Sequence, residues 1–177
     1  MAEFAREPRS KDQRTAIERS YSLHETINSN FDQVRSLADA VLFEFSSSRR
    51  QDLTLRTRIR QWQPQLRSLF LTRSVLQKYR LQLPGFELPE ALRVAQREFD
   101  DTLATMLDGM ADRMEGKAAQ ERGQFEDAFK HLEQTVGTCC TQTPQELSIE
   151  ELQAFLALSR SIETLTISLD EQMDKQI

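Results

Sequence analysis

Apolar residues recur every three or four positions through four long stretches of this chain, and that period admits one kind of secondary structure. An α-helix turns once in about 3.6 residues, so such spacing lines one face with apolar side chains and leaves the other faces to water. The first stretch reads Ile17, Tyr21, His24, Ile27, Phe31, Val34, Ala38, Val41, Phe45 and predicts a helix over about 10–46, closed by Ser46-Ser47-Ser48. The second reads Leu55, Ile59, Trp62, Leu66, Leu69, Arg73, Leu76, Tyr79, Leu83 and predicts a helix over 51–83. Pro64 falls inside it, where the missing N–H and the ring clash predict a kink.

Pro84-Gly-Phe-Glu-Leu-Pro89 is a turn: Pro84 stops one helix, Gly85 allows positive φ, and Pro89 suits the first turn of the next. The third stripe runs Leu92, Ala95, Phe99, Leu103, Met106, Met110, Met114 and then Phe125, Phe129, Leu132, Val136. It predicts either one weakened helix over 89–136 or two helices broken between Gly116 and Gly123, since interior glycines cost up to about 1 kcal/mol each. Residues 137–142 read as loop. The last helix, 144–175, has two overlapping start signals, Thr143-Pro-Gln-Glu146 and Ser148-Ile-Glu-Glu151, and the stripe Leu152, Phe155, Ser159, Ile162, Leu165, Leu169, Met173. Four long helices with short connections predict an all-α, up-down-up-down four-helix bundle. An even number of antiparallel helices brings both ends of the chain to one side, as a domain set between two membrane passes requires.

Composition agrees with slender helices around a thin core. Hydrophobic residues make up 38% and charged residues 29%, with only 5 Gly and 5 Pro for turns. No run approaches the roughly 20 apolar residues that span a bilayer, and Met-Ala-Glu-Phe-Ala-Arg-Glu-Pro lacks the apolar centre of a signal peptide. The adjacent Cys139 and Cys140 are ill placed for a disulfide and fit a reducing compartment.

Charge is distributed unevenly. Residues 45–97 hold eleven basic side chains against three acidic ones, a local charge of +8 in a chain of net charge −5. Arg49, Arg50, Arg56, Arg58, Arg60 and Arg67 are the candidate contacts for an anionic partner. Anionic lipid headgroups are a candidate partner and nucleic acid is not expected; the plainer reading is a solvated helix face paired with acidic neighbours.

Residues that do chemistry are sparse. Neither His24 nor His131 has a Glu three positions before it, as a di-iron bundle requires, so no metal is expected. The cysteines have no local His-Asp context, and five scattered glycines make no phosphate loop. Met106, Met110 and Met114 continue the core stripe, and Trp62 lies on an apolar face, which favours burial over base stacking. No cofactor and no enzymatic activity are expected.

Several runs carry a resemblance. Ile59-Arg-Gln-Trp-Gln-Pro-Gln-Leu-Arg-Ser-Leu-Phe, Leu83-Pro-Gly-Phe-Glu-Leu-Pro and Asp108-Gly-Met-Ala-Asp-Arg-Met-Glu-Gly are similar to the soluble portion of bacterial fusaric acid resistance (FUSC) or aromatic acid exporter-like membrane proteins. Glu25-Thr-Ile-Asn-Ser-Asn-Phe-Asp-Gln-Val-Arg and Ala40-Val-Leu-Phe-Glu-Phe fit the same likeness, which covers nearly all of the chain. These are packing and turn motifs, and the resemblance carries over no substrate-binding residue. The resemblance implies a non-catalytic helical domain on the cytoplasmic face of the bacterial inner membrane, excised from a larger protein and serving assembly or gating beside its transmembrane portion. The transmembrane part of such a family is missing from this sequence. The alternative is a free-standing binding module that engages an anionic partner through the basic second helix. Leu23, Leu42, Phe43, Leu53, Leu71, Val75, Leu81 and Leu158 fall off the stripes, so a homo-oligomer is a further expectation.

Overall fold

The computed structural model describes residues 1–6, 12–43, 49–82, 88–117, 122–142 and 148–175, and every regular element among them is helical. The order is α1 (Ala2–Ala5), α2 (Gln13–Ala40) with a 3-10 turn at Val41–Phe43, α3 (Arg49–Gln82), α4 (Glu90–Met114), α5 (Gly123–Gln142) and α6 (Ile149–Asp174). Six helices therefore stand where the periodicity counted four. The third stretch is two helices: α4 closes over Glu115, and Gly116 takes φ 78°, a backbone conformation open to glycine without penalty. The sixth helix is the short α1, too brief for a periodic signal.

Side-chain caps open two of the helices. Asp12 caps α2, its carboxylate accepting from the Thr15 amide at 2.8 Å. Ser148 and Glu151 form the expected reciprocal cap of α6: the Glu151 amide donates to Ser148 Oγ at 3.1 Å and the Ser148 amide to Glu151 Oε2 at 2.8 Å. The Thr143–Glu146 signal, the Ser46–Ser48 terminator and the Pro84–Phe86 turn lie outside the described residues. Helix α3 continues unbroken through Pro64 for 34 residues. Residues 137–142, expected as loop, belong to α5 instead. The apolar stripe continues from Val136 to the buried Cys139, and the Thr138 and Thr141 hydroxyls bond back to carbonyls one turn earlier, so nothing stops the helix at Gly137.

Side-chain contacts fix the directions. Tyr79 near the end of α3 donates to the Glu151 carbonyl at the start of α6, so these two run antiparallel. Arg113 at the end of α4 holds Asp170 and Asp174 at the end of α6, and Arg122 at the start of α5 reaches Asp170 as well. Helices α3, α4, α5 and α6 thus alternate in direction. Their inward residues, among them Trp62, Leu69, Leu76, Leu92, Phe99, Leu103, Phe125, Leu132, Phe155 and Ile162, share one core in which Phe99 stacks on Phe125 at 5.3 Å.

Helix α2 lies outside that core. It runs antiparallel along α3, pinned by Gln63 donating to the Phe31 carbonyl at 2.8 Å and by Asp39 accepting from Arg60. A small separate cluster, Phe4, Ile27, Phe31 and Phe70, fills the seam. With one long neighbour instead of three, α2 buries a narrower stripe, and Tyr21 and Val34 are exposed rather than core. Leu55 is exposed for a different reason. Among the described side chains of α3 the first that is buried is Trp62, so the helix begins before the core does. Met114 is exposed because α4 ends there.

Candidate functional site

The six arginines singled out by charge do not form one patch. Successive residues on a helix are rotated by about 100°, which places Arg56, Arg60 and Arg67 on the α2 side of α3 and Arg50 and Arg58 on other faces. Arg56 and Arg60 both reach Asp39 of α2, at 3.4 and 2.9 Å. The hydrogen bond from Arg60, with Arg56 beside it, holds the Asp39 carboxyl below the usual carboxylate range. Arg50 and Arg67 are exposed and Arg58 is half-buried; none of the three pairs with an acid among the described residues. The side chain of Arg49 lies outside the described residues.

The most deeply placed charges are elsewhere. Arg73, on the apolar stripe of α3, meets Asp100 of α4 at 3.0 Å, and Arg80 reaches the other oxygen of Asp100 at 3.1 Å. Gln96 donates to the same carboxylate at 2.6 Å, and Arg73 donates to the Ala5 carbonyl at 2.6 Å. Burial pushes the Asp100 carboxyl up from its ordinary range, and Arg73 and Arg80 oppose that push. Two guanidiniums facing one carboxylate leave an excess positive charge, and the carbonyl at the end of α1 supplies a further acceptor. The arrangement ties α1, α3 and α4 together. Arg73 in an apolar stripe was the one sequence signal for it; Asp100 gave none.

At the outer seam, Phe4, Ile17, Ser20, Tyr21, His24, Ser74, Gln77, Lys78 and Leu81 line a cavity of about 370 Å³ between α2 and α3, with Phe4 of α1 in its wall. His24 Nδ1 lies 3.1 Å from the Asn28 amide nitrogen, and its ring packs on Phe70 with centroids 4.8 Å apart. Ser74 donates to the Phe70 carbonyl within its own helix. Gln77 is 1% exposed, and neither atom of its amide has a hydrogen-bond partner. Most buried polar groups are paired, because an orphaned one keeps its full desolvation cost of about 1–3 kcal/mol. A glutamine inside a helix carries no signal of its own, so nothing in the sequence marks Gln77.

Among the described residues no group of three His, Cys, Asp or Glu side chains gathers to hold a metal. His131 pairs with Glu98 at 2.8 Å on the surface. Cys139 is buried, which raises its thiol above the ordinary value, and Cys140 is half-buried beside it in α5. No described helix is long and apolar enough to cross a membrane. No family model, curated protein or solved structure matches the chain.

Proposed function

We propose that this chain is a non-catalytic helical module of an exporter-like membrane protein of the fusaric acid resistance type, held on the cytoplasmic face of the bacterial inner membrane and acting in assembly or gating. In this reading α3–α6 form an antiparallel four-helix core, and α2 with the first turns of α3 forms an arm that meets the transmembrane portion, the lipid headgroups or a second copy. One observation carries it. Asp39 pairs with Arg56 and Arg60, so in the antiparallel register Leu42 lies about level with the exposed Leu55, and Leu37 (69% exposed) lies roughly a turn nearer Trp62, the first described α3 side chain that is buried. Exposed leucines toward this end of the arm, with Arg50 and Arg58 on the same helix as Leu55, suit an amphipathic and anionic neighbour. The reading frame around this sequence tests the proposal. An apolar segment of roughly 20 residues on at least one flank is expected; a frame lacking any such segment would sink it.

A second reading keeps the arm and drops the membrane: a free-standing module whose Arg50, Arg58 and Arg67 engage an anionic partner. Its support is that none of the three meets an acid among the described residues. Retention on heparin that weakens steeply with salt favours this reading, because phosphate and sulfate contacts release counterions. Passage straight through at low ionic strength removes it.

A further inference from the structure

We infer that the cavity between α2 and α3 binds a small amphiphilic monocarboxylate of the medium-chain fatty acid class, its head at Lys78 and its tail along Ile17 and Leu81. The cavity follows from the register of the two helices. Gln63 donates to the Phe31 carbonyl and the His24 ring packs on Phe70, so the antiparallel pairing brings Ser20 opposite Ser74. Further along the seam, Ile27, Phe31 and Phe70 fill it with large side chains. Two facing serines cannot, and about 370 Å³ is left between the helices. The cavity lies at the far end of the seam from Leu37, Leu42 and Leu55.

The lining sets the ligand class. At about 370 Å³ the cavity is at the small end of the range for ligand sites. Half-buried Ile17 and Leu81 and the aliphatic stem of Lys78 supply apolar surface, which takes a hydrocarbon chain. Among the described residues the lining holds one cationic side chain, Lys78, and no carboxylate. Lys78 is exposed and pairs with no acid among the described residues. An anionic end is therefore attracted and a cationic one repelled. One ammonium balances a single charge, which fits a carboxylate better than a phosphate dianion. The Ser20 and Tyr21 hydroxyls, in the same lining, are donors of the kind a carboxylate accepts from. The site stands on its own, whether or not the chain belongs to an exporter.

Titration of the full chain with decanoate, decanol and acetate, followed by amide NMR shifts, tests the inference. Decanoate is expected to bind below its micellar range and several-fold more tightly than decanol, with the largest shifts at Ser20, Tyr21, His24 and Lys78. Acetate, which lacks the tail, should not bind at the same concentration. Lys78→Glu changes an exposed side chain and should reverse the order, so that decanol binds the more tightly. Ser20→Leu fills the gap and should weaken both ligands while the helical circular dichroism is retained. Absence of decanoate binding overturns the inference, as do shifts centred on Leu37, Leu42 and Leu55 or a preference for decanoate that survives Lys78→Glu.

Discussion

Arg73 on α3 and Asp100 on α4 meet at 3.0 Å with only 1% and 5% of their side chains exposed. Two charges so deeply placed have exchanged water for each other and for Arg80, Gln96 and the Ala5 carbonyl. Removing one partner leaves the other charge buried and uncompensated, whereas replacing both with apolar groups of similar volume is often tolerated.

Asp100→Ala should therefore destabilise the protein by about 3–5 kcal/mol. Because Arg80 shares the carboxylate, relief requires removing both guanidiniums: the triple change Arg73→Met, Arg80→Met, Asp100→Leu should recover most of that loss. Denaturant unfolding of the three proteins gives the comparison directly, and an Asp100→Ala variant as stable as the parent refutes the tie between α3 and α4.

The Ser148–Glu151 cap yields a smaller and cleaner number. Ser148→Ala removes the acceptor for the Glu151 amide and should cost about 1 kcal/mol, with Ser148→Asp close to neutral. A drop of several degrees in the melting temperature of the alanine variant, largely restored in the aspartate variant, is the expected pattern.

How much of this was legible beforehand follows from which residues face which neighbours. Periodicity located every long helix, because Leu92, Phe99 and Leu103 or Phe155, Ile162 and Leu169 face a core from one side alone. It failed where the partner was a matter of tertiary placement. Tyr21 and Val34 share the first stripe with Ile27 and Phe31, yet only the latter two are buried, since α2 has one long neighbour. Cys139 looked like loop because the short Gly137-Thr138 segment hid a stripe that continues in phase. Charge counting drew attention to Arg49–Arg67, while Asp100, Asp170 and Gln77 carry their meaning in the helix that faces them, which no local spacing encodes.

Acidification should loosen α2 against α3. Arg60 and Arg56 hold the Asp39 carboxyl below its ordinary range, so the stability it contributes is complete above the usual carboxylate range and is lost as pH falls through the lowered value. Melting curves of the parent and of Asp39→Asn should differ near neutral pH and converge in strong acid. A gap that stays constant across that interval contradicts the linkage.

The exposed leucines of the arm should govern association. Leu37→Glu with Leu55→Glu should reduce binding to anionic vesicles, and added salt should weaken whatever binding remains through Arg50 and Arg58. If sedimentation across a concentration series shows a single mass near 20.5 kDa throughout, a second copy is excluded as the partner of the isolated chain.

Fractionation of the native gene product in its source cells tests the exporter reading most directly. Cells are broken, membranes are collected and washed in alkaline carbonate, and an antibody against α3–α6 locates the antigen. The expected result is a species larger than 20.5 kDa that stays in the washed membrane fraction. Recovery of the antigen in the soluble fraction, at the mass of this chain, contradicts the reading and leaves the free-standing binding module in its place.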